Sequence, residues 1–239
     1  MRYQKLGNTD IDVSVIALGT WGLGGGSVWT DRDSTVEDTG NLLDICREYG
    51  VNYIDTAPVY GTGASEELLG KALKGRRQDF ILQSKCSLNW RNEGGNFHYE
   101  RDGYTVNNDT RAAAVKKDVE DSLRRMQTDY LDSVIVHYVC GSFPVEETVG
   151  AMEDLVREGK IRTYGLSNSQ PADLAAYQDR ITPAAMWFSR QMALMDSSRS
   201  APRCSRRQMV VMADAPFLID LITIPYFLQF VQRHGILSS

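Results

Sequence analysis

At 239 residues, with 42% hydrophobic and 24% charged side chains, the chain has ordinary globular usage, which excludes intrinsic disorder and fibrous repeats. A formal net charge of −5 excludes the usual nucleic-acid binder, because phosphate contacts need a concentrated basic face. The length suits one large α/β domain or two small ones, and the expected partner is a small molecule.

In chain order, the first strand is expected at 15–18, followed by a glycine cluster, Gly22, Gly24, Gly25 and Gly26, and a helix over 34–49. A second strand at 52–55 ends on Asp55 and leads into a helix over 65–73. The third, at 80–83, runs on to Lys85. Residues 88–108, rich in Asn, Gly and aromatics, read either as a loop over the mouth of a site or as a solvated insertion with no role. A helix over 111–126 follows, with Val115, Val119, Leu123 and Met126 on one face. The fourth strand, 133–137, ends on His137. A helix over 145–157 and a fifth strand at 161–166 complete the clear part, and weaker strands are expected at 185–188 and 209–213. The apolar segment 217–231 contains Asp220, Pro225 and Gln229 and is too short to cross a bilayer, which takes about 20 residues, so it reads as buried or displaced and no membrane partner is expected.

Short β-branched runs alternating with helical periods predict βα units and a parallel sheet covered on both faces. Two features favour a closed TIM-type (β/α)8 barrel over an open sheet. The glycine cluster satisfies neither GxGxxG nor GxxxxGK[ST]. In addition, polar residues sit at the C-terminal ends of several different strands, where barrel active sites are assembled. Cys46, Cys86, Cys140 and Cys204 form no CxxC pair and no signal peptide precedes Met1, so neither disulfides nor a metal site is expected and a reducing cytoplasm fits.

Singly, each polar strand end has an ordinary explanation: Asp55 as a turn or cap, Tyr60 as a packing group, Lys85 reaching solvent, His137 as a satisfied core residue. Together they make coherent chemistry. A tyrosine, with a reference pKa of about 10, exchanges protons near neutrality only beside a cation or a hydrogen-bond network that favours phenolate. Lys85 supplies that charge, Asp55 holds the ammonium, and His137 orients a carbonyl oxygen.

The strings Leu18-Gly19-Thr20-Trp21, Asp55-Thr56-Ala57-Pro58-Val59-Tyr60-Gly61, Ser65-Glu66-Glu67, Ser84-Lys85-Cys86, Ser122-Leu123-Arg124-Arg125, Thr128-Asp129-Tyr130-Leu131-Asp132 and Gly165-Leu166-Ser167-Asn168 resemble the aldo-keto reductase family, nearly continuously over residues 2–183. The resemblance implies an eight-stranded barrel that binds NADP(H) and passes hydride to a small-molecule carbonyl. Tyr60 would be the general acid, supported by Asp55, Lys85 and His137. Ser167 and Asn168 would contact the nicotinamide carboxamide, and Gly19, Thr20 and Trp21 would line the cofactor and substrate side.

From residue 184 the pattern departs from the family's. Ser189 stands where a glutamine is usual, with Gln191 two residues off, and Asp214 stands where a tyrosine stacks on the nicotinamide. Nothing in 217–239 resembles the eighth strand. The expectation is one barrel domain over 1–239, six to seven strands recognisable, divergent over 184–239 and truncated before the eighth strand. A second expectation follows: a catalytically weak or inactive fragment that binds cofactor poorly and forms a homo-oligomer through an exposed barrel edge.

Overall fold

Strands that are apolar on both faces need helices on both sides of the connection, and that repeat dominates the computed structural model of the chain, in which residues 1–7, 9–25, 34–169, 173, 177 and the strand 217–220 are described. A hairpin of β1 (Tyr3–Lys5) and β2 (Asp12–Ser14) comes first. Then β3 (Ile16–Gly19), α1 (Val36–Glu48), β4 (Tyr53–Asp55), α2 (Ala64–Ala72) and β5 (Ile81–Cys86) alternate. After an inserted antiparallel sheet, β6 (Leu88–Asn89), β7 (Asn96–Arg101) and β8 (Tyr104–Asn108), the alternation resumes with α3 (Ala112–Met126), β9 (Leu131–Val136), α4 (Val145–Arg157) and β10 (Ile161–Leu166). The last described element is β11 (Phe217–Asp220).

The main sheet runs β10-β9-β5-β4-β3-β11, every neighbouring pair parallel. From β3 to β10 the spatial order is the chain order, one helix between each pair, which is the progression of a TIM-type barrel. β9 is buried at all six positions. Helix α1 is fixed at its start by a capping box, Thr35 and Asp38 exchanging side-chain and backbone hydrogen bonds, and buries Leu42, Leu43 and Cys46. In α3 the expected face holds: Val115, Val119 and Met126 are buried and Leu123 packs partly buried against the same core.

Three expectations change. Residues 88–108 are not a loop but a three-stranded sheet in the order β6-β8-β7. It lacks the strict apolar alternation that marks a half-buried strand, yet its reversals are well supplied: Gly94 and Gly95 turn with φ of 123° and 88°, and Asp102-Gly103 with 51° and 79°. The hairpin β1–β2 was not anticipated either; it closes the barrel's N-terminal end with Leu6, Ile11 and Val13 packed on Ala17 and Tyr53. Finally, the segment beginning at Phe217 does supply a strand, in register beside β3 from Phe217↔Ile16 to Asp220↔Gly19. The weaker strands at 185–188 and 209–213, Ser189, Gln191 and Asp214, and the expected truncation lie outside the described residues. Among the described residues no helix is long and apolar enough to cross a membrane.

Candidate active site

Parallel registry sets the C-terminal ends of β3, β4 and β5 side by side: Gly19 pairs with Asp55, and Asp55 with Gln83. Side chains two apart on a strand share a face, so Tyr53 and Asp55 on β4 meet Gln83 and Lys85 on β5. Asp55 and Lys85 are both buried, and their ion pair is two-pronged, Lys85 Nζ donating to Oδ1 at 2.8 Å and Oδ2 at 2.7 Å. The same ammonium donates to the Thr56 carbonyl at 2.8 Å and the Tyr60 hydroxyl at 3.1 Å. Burial by itself would lower the Lys85 pKa; Asp55 and Tyr60 outweigh it and hold it above the ordinary lysine value. Lys85 is therefore a fixed positive charge against the Tyr60 oxygen, its Nζ 4.8 Å from the ring centroid.

Tyr60 is placed by backbone contact. The turn at Trp21–Gly24 lies directly on Tyr60-Gly61, so close that a Cβ on Gly24 would stand 2.5 Å from the Tyr60 carbonyl carbon, and one on Gly61 only 1.9 Å from the Gly24 oxygen. Gly61 also has φ +61°, which favours glycine. Beneath this contact Thr20, fully buried, donates its hydroxyl to the Asp55 carbonyl, and Ser65 Oγ lies within hydrogen-bond distance of both Thr20 Oγ1 and Thr56 Oγ1. Trp21 is half-buried with its ring stacked near Tyr60, centroids 6.1 Å apart.

Across the opening His137 follows β9, its ring edge-on to Tyr60 at 6.2 Å. Burial, then Lys85, then His98 push its pKa well below the usual histidine value, so the ring is neutral, and its Nδ1 is buried without a hydrogen-bond partner. Ser167 and Asn168, at the end of β10, both donate to the His137 carbonyl, at 2.8 and 2.9 Å. The structure thus brings Gly19, Thr20, Trp21, Asp55, Tyr60, Lys85, His137, Ser167 and Asn168 to one rim. Among the described residues no group of three or more His, Cys, Asp or Glu is placed to hold a metal ion.

Two features escaped the sequence reading. Gln83 donates to Asp55 Oδ1 at 2.6 Å and accepts from the Tyr53 hydroxyl at 2.5 Å, so it steadies the same carboxylate oxygen that Lys85 holds. Its signal was its place two residues before Lys85, polar within an apolar strand. Glu66, fully buried, accepts from Ser84 Oγ and from Arg125 Nε, each at 2.6 Å, and so ties α2 to β5 and α3 beside the site. Glu66, Ser84 and Arg125 lie in three of the strings that resemble the family.

A family model described as the aldo/keto reductase family matches residues 15–217. The aldo-keto reductase YhdN of Bacillus subtilis (strain 168) is 37% identical over 201 residues, 80% of this chain and 56% of its own length. The NADH-specific methylglyoxal reductase of Escherichia coli (strain K12) is 35% identical over 184 residues, 74% of this chain and 55% of its own. Among solved structures, an aldo/keto reductase from Klebsiella pneumoniae in complex with NADP and acetate superposes with a TM-score of 0.56 at 34% identity, over 74% of this chain and 53% of that one. The chain spans just over half the length of these relatives.

Proposed function

The chain belongs to the aldo/keto reductase family, and from that premise we propose that it reduces aldehyde or ketone carbonyls to alcohols with NADP(H), Tyr60 acting as the general acid. The observation that carries this is the Lys85 ammonium shared between Asp55 and the Tyr60 hydroxyl. A bound nicotinamide supplies the hydride for the carbonyl carbon. The chain's own residues supply the proton: Tyr60 gives its hydroxyl proton to the carbonyl oxygen, and the phenolate left behind faces the Lys85 charge at 3.1 Å. Gln83 and Thr56 keep Asp55 and Lys85 from turning away.

His137 orients the carbonyl oxygen. With Nδ1 buried and unpartnered, the ring is best satisfied carrying its proton on the other nitrogen, which leaves a bare lone pair inside and a donor for the substrate. At the β10 end the Ser167 oxygen, its proton given to the His137 carbonyl, and the Asn168 amide are the groups that would meet the carboxamide of a nicotinamide. NADP is preferred over NAD in this proposal on the strength of the NADP-bound Klebsiella relative, while the E. coli relative is NADH-specific by name. The same proposal takes residues 1–239 as one barrel domain working in the cytoplasm on a small-molecule carbonyl.

The test is NADPH oxidation with a panel of aldehydes, wild type against Tyr60→Phe. The variant is expected to keep NADPH binding by fluorescence titration while turnover falls about 10²- to 10⁴-fold. Equal rates in the two proteins would remove Tyr60 from the chemistry. Failure of the wild type to bind NADPH would remove the reductase function itself.

A further inference from the structure

The peptide unit between His137 and Tyr138 is gripped by side chains from two strand ends. Its C=O accepts from Ser167 Oγ at 2.8 Å and from Asn168 Nδ2 at 2.9 Å, at the end of β10. Its N–H donates to Ser87 Oγ at 3.2 Å, and that hydroxyl donates in turn to the Tyr138 C=O at 3.0 Å. Ser87 follows directly on β5. The two strands run in register as far as Cys86↔Val136, and the His137 N–H still reaches the Cys86 C=O at 3.0 Å. There the backbone turns: Ser87 has φ 81°, in the left-handed region that favours glycine. Its own N–H is taken by Asp118 Oδ2 at 2.8 Å and its C=O by the Asp109 N–H at 2.7 Å, so the hydroxyl is what remains to meet Tyr138.

A residue other than glycine keeps such a backbone only where its surroundings dictate it, and residues of this kind gather at functional sites. Ser87 and Asp118 are both buried, and Arg91 pairs with the second Asp118 oxygen at 2.6 Å. The side chain with most to gain from this anchoring is His137. A histidine ring is ordinarily oriented by the hydrogen bond that its second nitrogen makes, yet Nδ1 of His137 is buried without a partner among the described residues. The ring is therefore aimed by its own main chain and by packing against Tyr60 and Tyr138, at 6.2 and 5.3 Å between centroids. A rotation of the 137–138 peptide would swing the ring away from the opening.

Resting on the carbonyl-reducing function above, we propose that Ser87 is a positioning residue: its hydroxyl, anchored through Asp118, fixes the His137–Tyr138 peptide from the β5 side as Ser167 and Asn168 fix it from β10, and so sets where the His137 ring meets the carbonyl oxygen.

Two substitutions test this. Ser87→Ala removes the hydroxyl and keeps the Cβ, whereas Ser87→Gly removes it and suits the φ of 81°, so backbone strain cannot unfold both. Each is assayed by NADPH oxidation with 4-nitrobenzaldehyde, alone and combined with His137→Ala. In the single variants kcat and kcat/KM are expected to fall together by roughly 10- to 100-fold, the scale of a misplacement of up to about 1 Å, while KM and the affinity and stoichiometry of NADPH binding stay within about twofold of wild type. In the His137→Ala background the same substitutions should change kcat by less than about twofold, because the group they position is already gone. An unchanged kcat, a loss confined to NADPH binding, or the full loss repeated in the His137→Ala background overturns the positioning role. A wild type inactive with the aldehyde overturns the reductase function instead. NMR of the His137 ring, its signals identified by their disappearance in His137→Ala, then decides the role of Ser87: shifted signals in both Ser87 variants support it, and signals at their wild-type positions overturn it.

Discussion

Replacing Lys85 with Met keeps the length of the side chain and removes its charge. Asp55 is 2% exposed, and the substitution takes away both of its bonds to the ammonium, leaving the 2.6 Å donation from Gln83 to a carboxylate in a dry site. Removing one member of a buried pair costs about 3–5 kcal/mol, close to the whole stability of a marginal domain. Asp55→Asn should cost a similar amount, because the buried ammonium loses its counter-charge and keeps only neutral acceptors, the amide oxygen, the Thr56 carbonyl and the Tyr60 hydroxyl. The double variant loses both charges at once and is expected to lie within about 2 kcal/mol of wild type, since replacing a buried pair by neutral groups is often nearly neutral. Urea unfolding at pH 7, followed by fluorescence of the four tryptophans, measures all three. High salt should change the coupling little, because the pair is shielded from the ions that screen surface charges. A double variant destabilised by the full sum of the singles would refute the reasoning, and so would a Lys85→Met cost below about 1 kcal/mol. Catalysis separates cleanly from stability here: the double variant should fold and have no reductase activity.

Gly61→Ala adds a Cβ 1.9 Å from the Gly24 oxygen at φ +61°, so it should displace Tyr60, cost at least about 1–2 kcal/mol and abolish NADPH-dependent turnover; wild-type kinetics in this variant would contradict the close approach. Glu66→Ala strips Arg125 and Ser84 of their buried acceptor and should lower stability by about 3–5 kcal/mol, read by thermal unfolding, with an unchanged Tm as the contrary result. Asp118 is fully enclosed and pushed up to about 7 by burial, against the opposing pull of Arg91 at 2.6 Å and of the Ser87 N–H. A folded pKa above the unfolded value of about 3.9 gives a contribution present at low pH and lost as pH rises through about 7. Relative to Asp118→Asn, wild type should therefore lose up to about 1.4 kcal/mol per pH unit between about pH 4 and 7 and nothing further above pH 8. A difference that grows in the opposite direction would reverse the assigned shift.

Legibility in the sequence followed burial. The strands at 161–166 and 52–55 stand close to β10 and β4 because their β-branched and aromatic residues, Ile161, Thr163, Tyr164, Tyr53 and Ile54, are of the kind that a covered strand buries, and all five are buried. The four helices were legible from the 3.6-residue period, which also puts Asp118 and Ser122 of α3 on the face of Val115, Val119 and Met126, but it cannot supply the partners that let polar groups be buried there, the Ser87 N–H and Arg91 for Asp118 and Arg125 for Ser122. The sheet at 88–108 was missed because period-2 alternation signals a strand with one face in a core. Its own clue was the two-residue Asp102-Gly103 turn between Arg101 and Tyr104, a hairpin signal independent of hydrophobicity. In the candidate site, the polar strand ends announced Asp55, Lys85 and His137, whereas Gln83 and Glu66 act through other residues and look like ordinary polar residues until the strands are set in register.

The pairing of β11 with β3 joins residues about 200 positions apart, while the other parallel neighbours are joined through single helices. β3 is therefore among the first strands made and the last to gain its second neighbour. At about 5–20 residues per second of synthesis, its outer backbone edge waits on the order of 10–40 s for Phe217–Asp220 to emerge. During that interval the N–H and C=O groups of Ile16–Gly19 offer a ready template to other nascent chains. Slower translation of the intervening stretch should then show up as a larger insoluble fraction, with no change in the protein that folds.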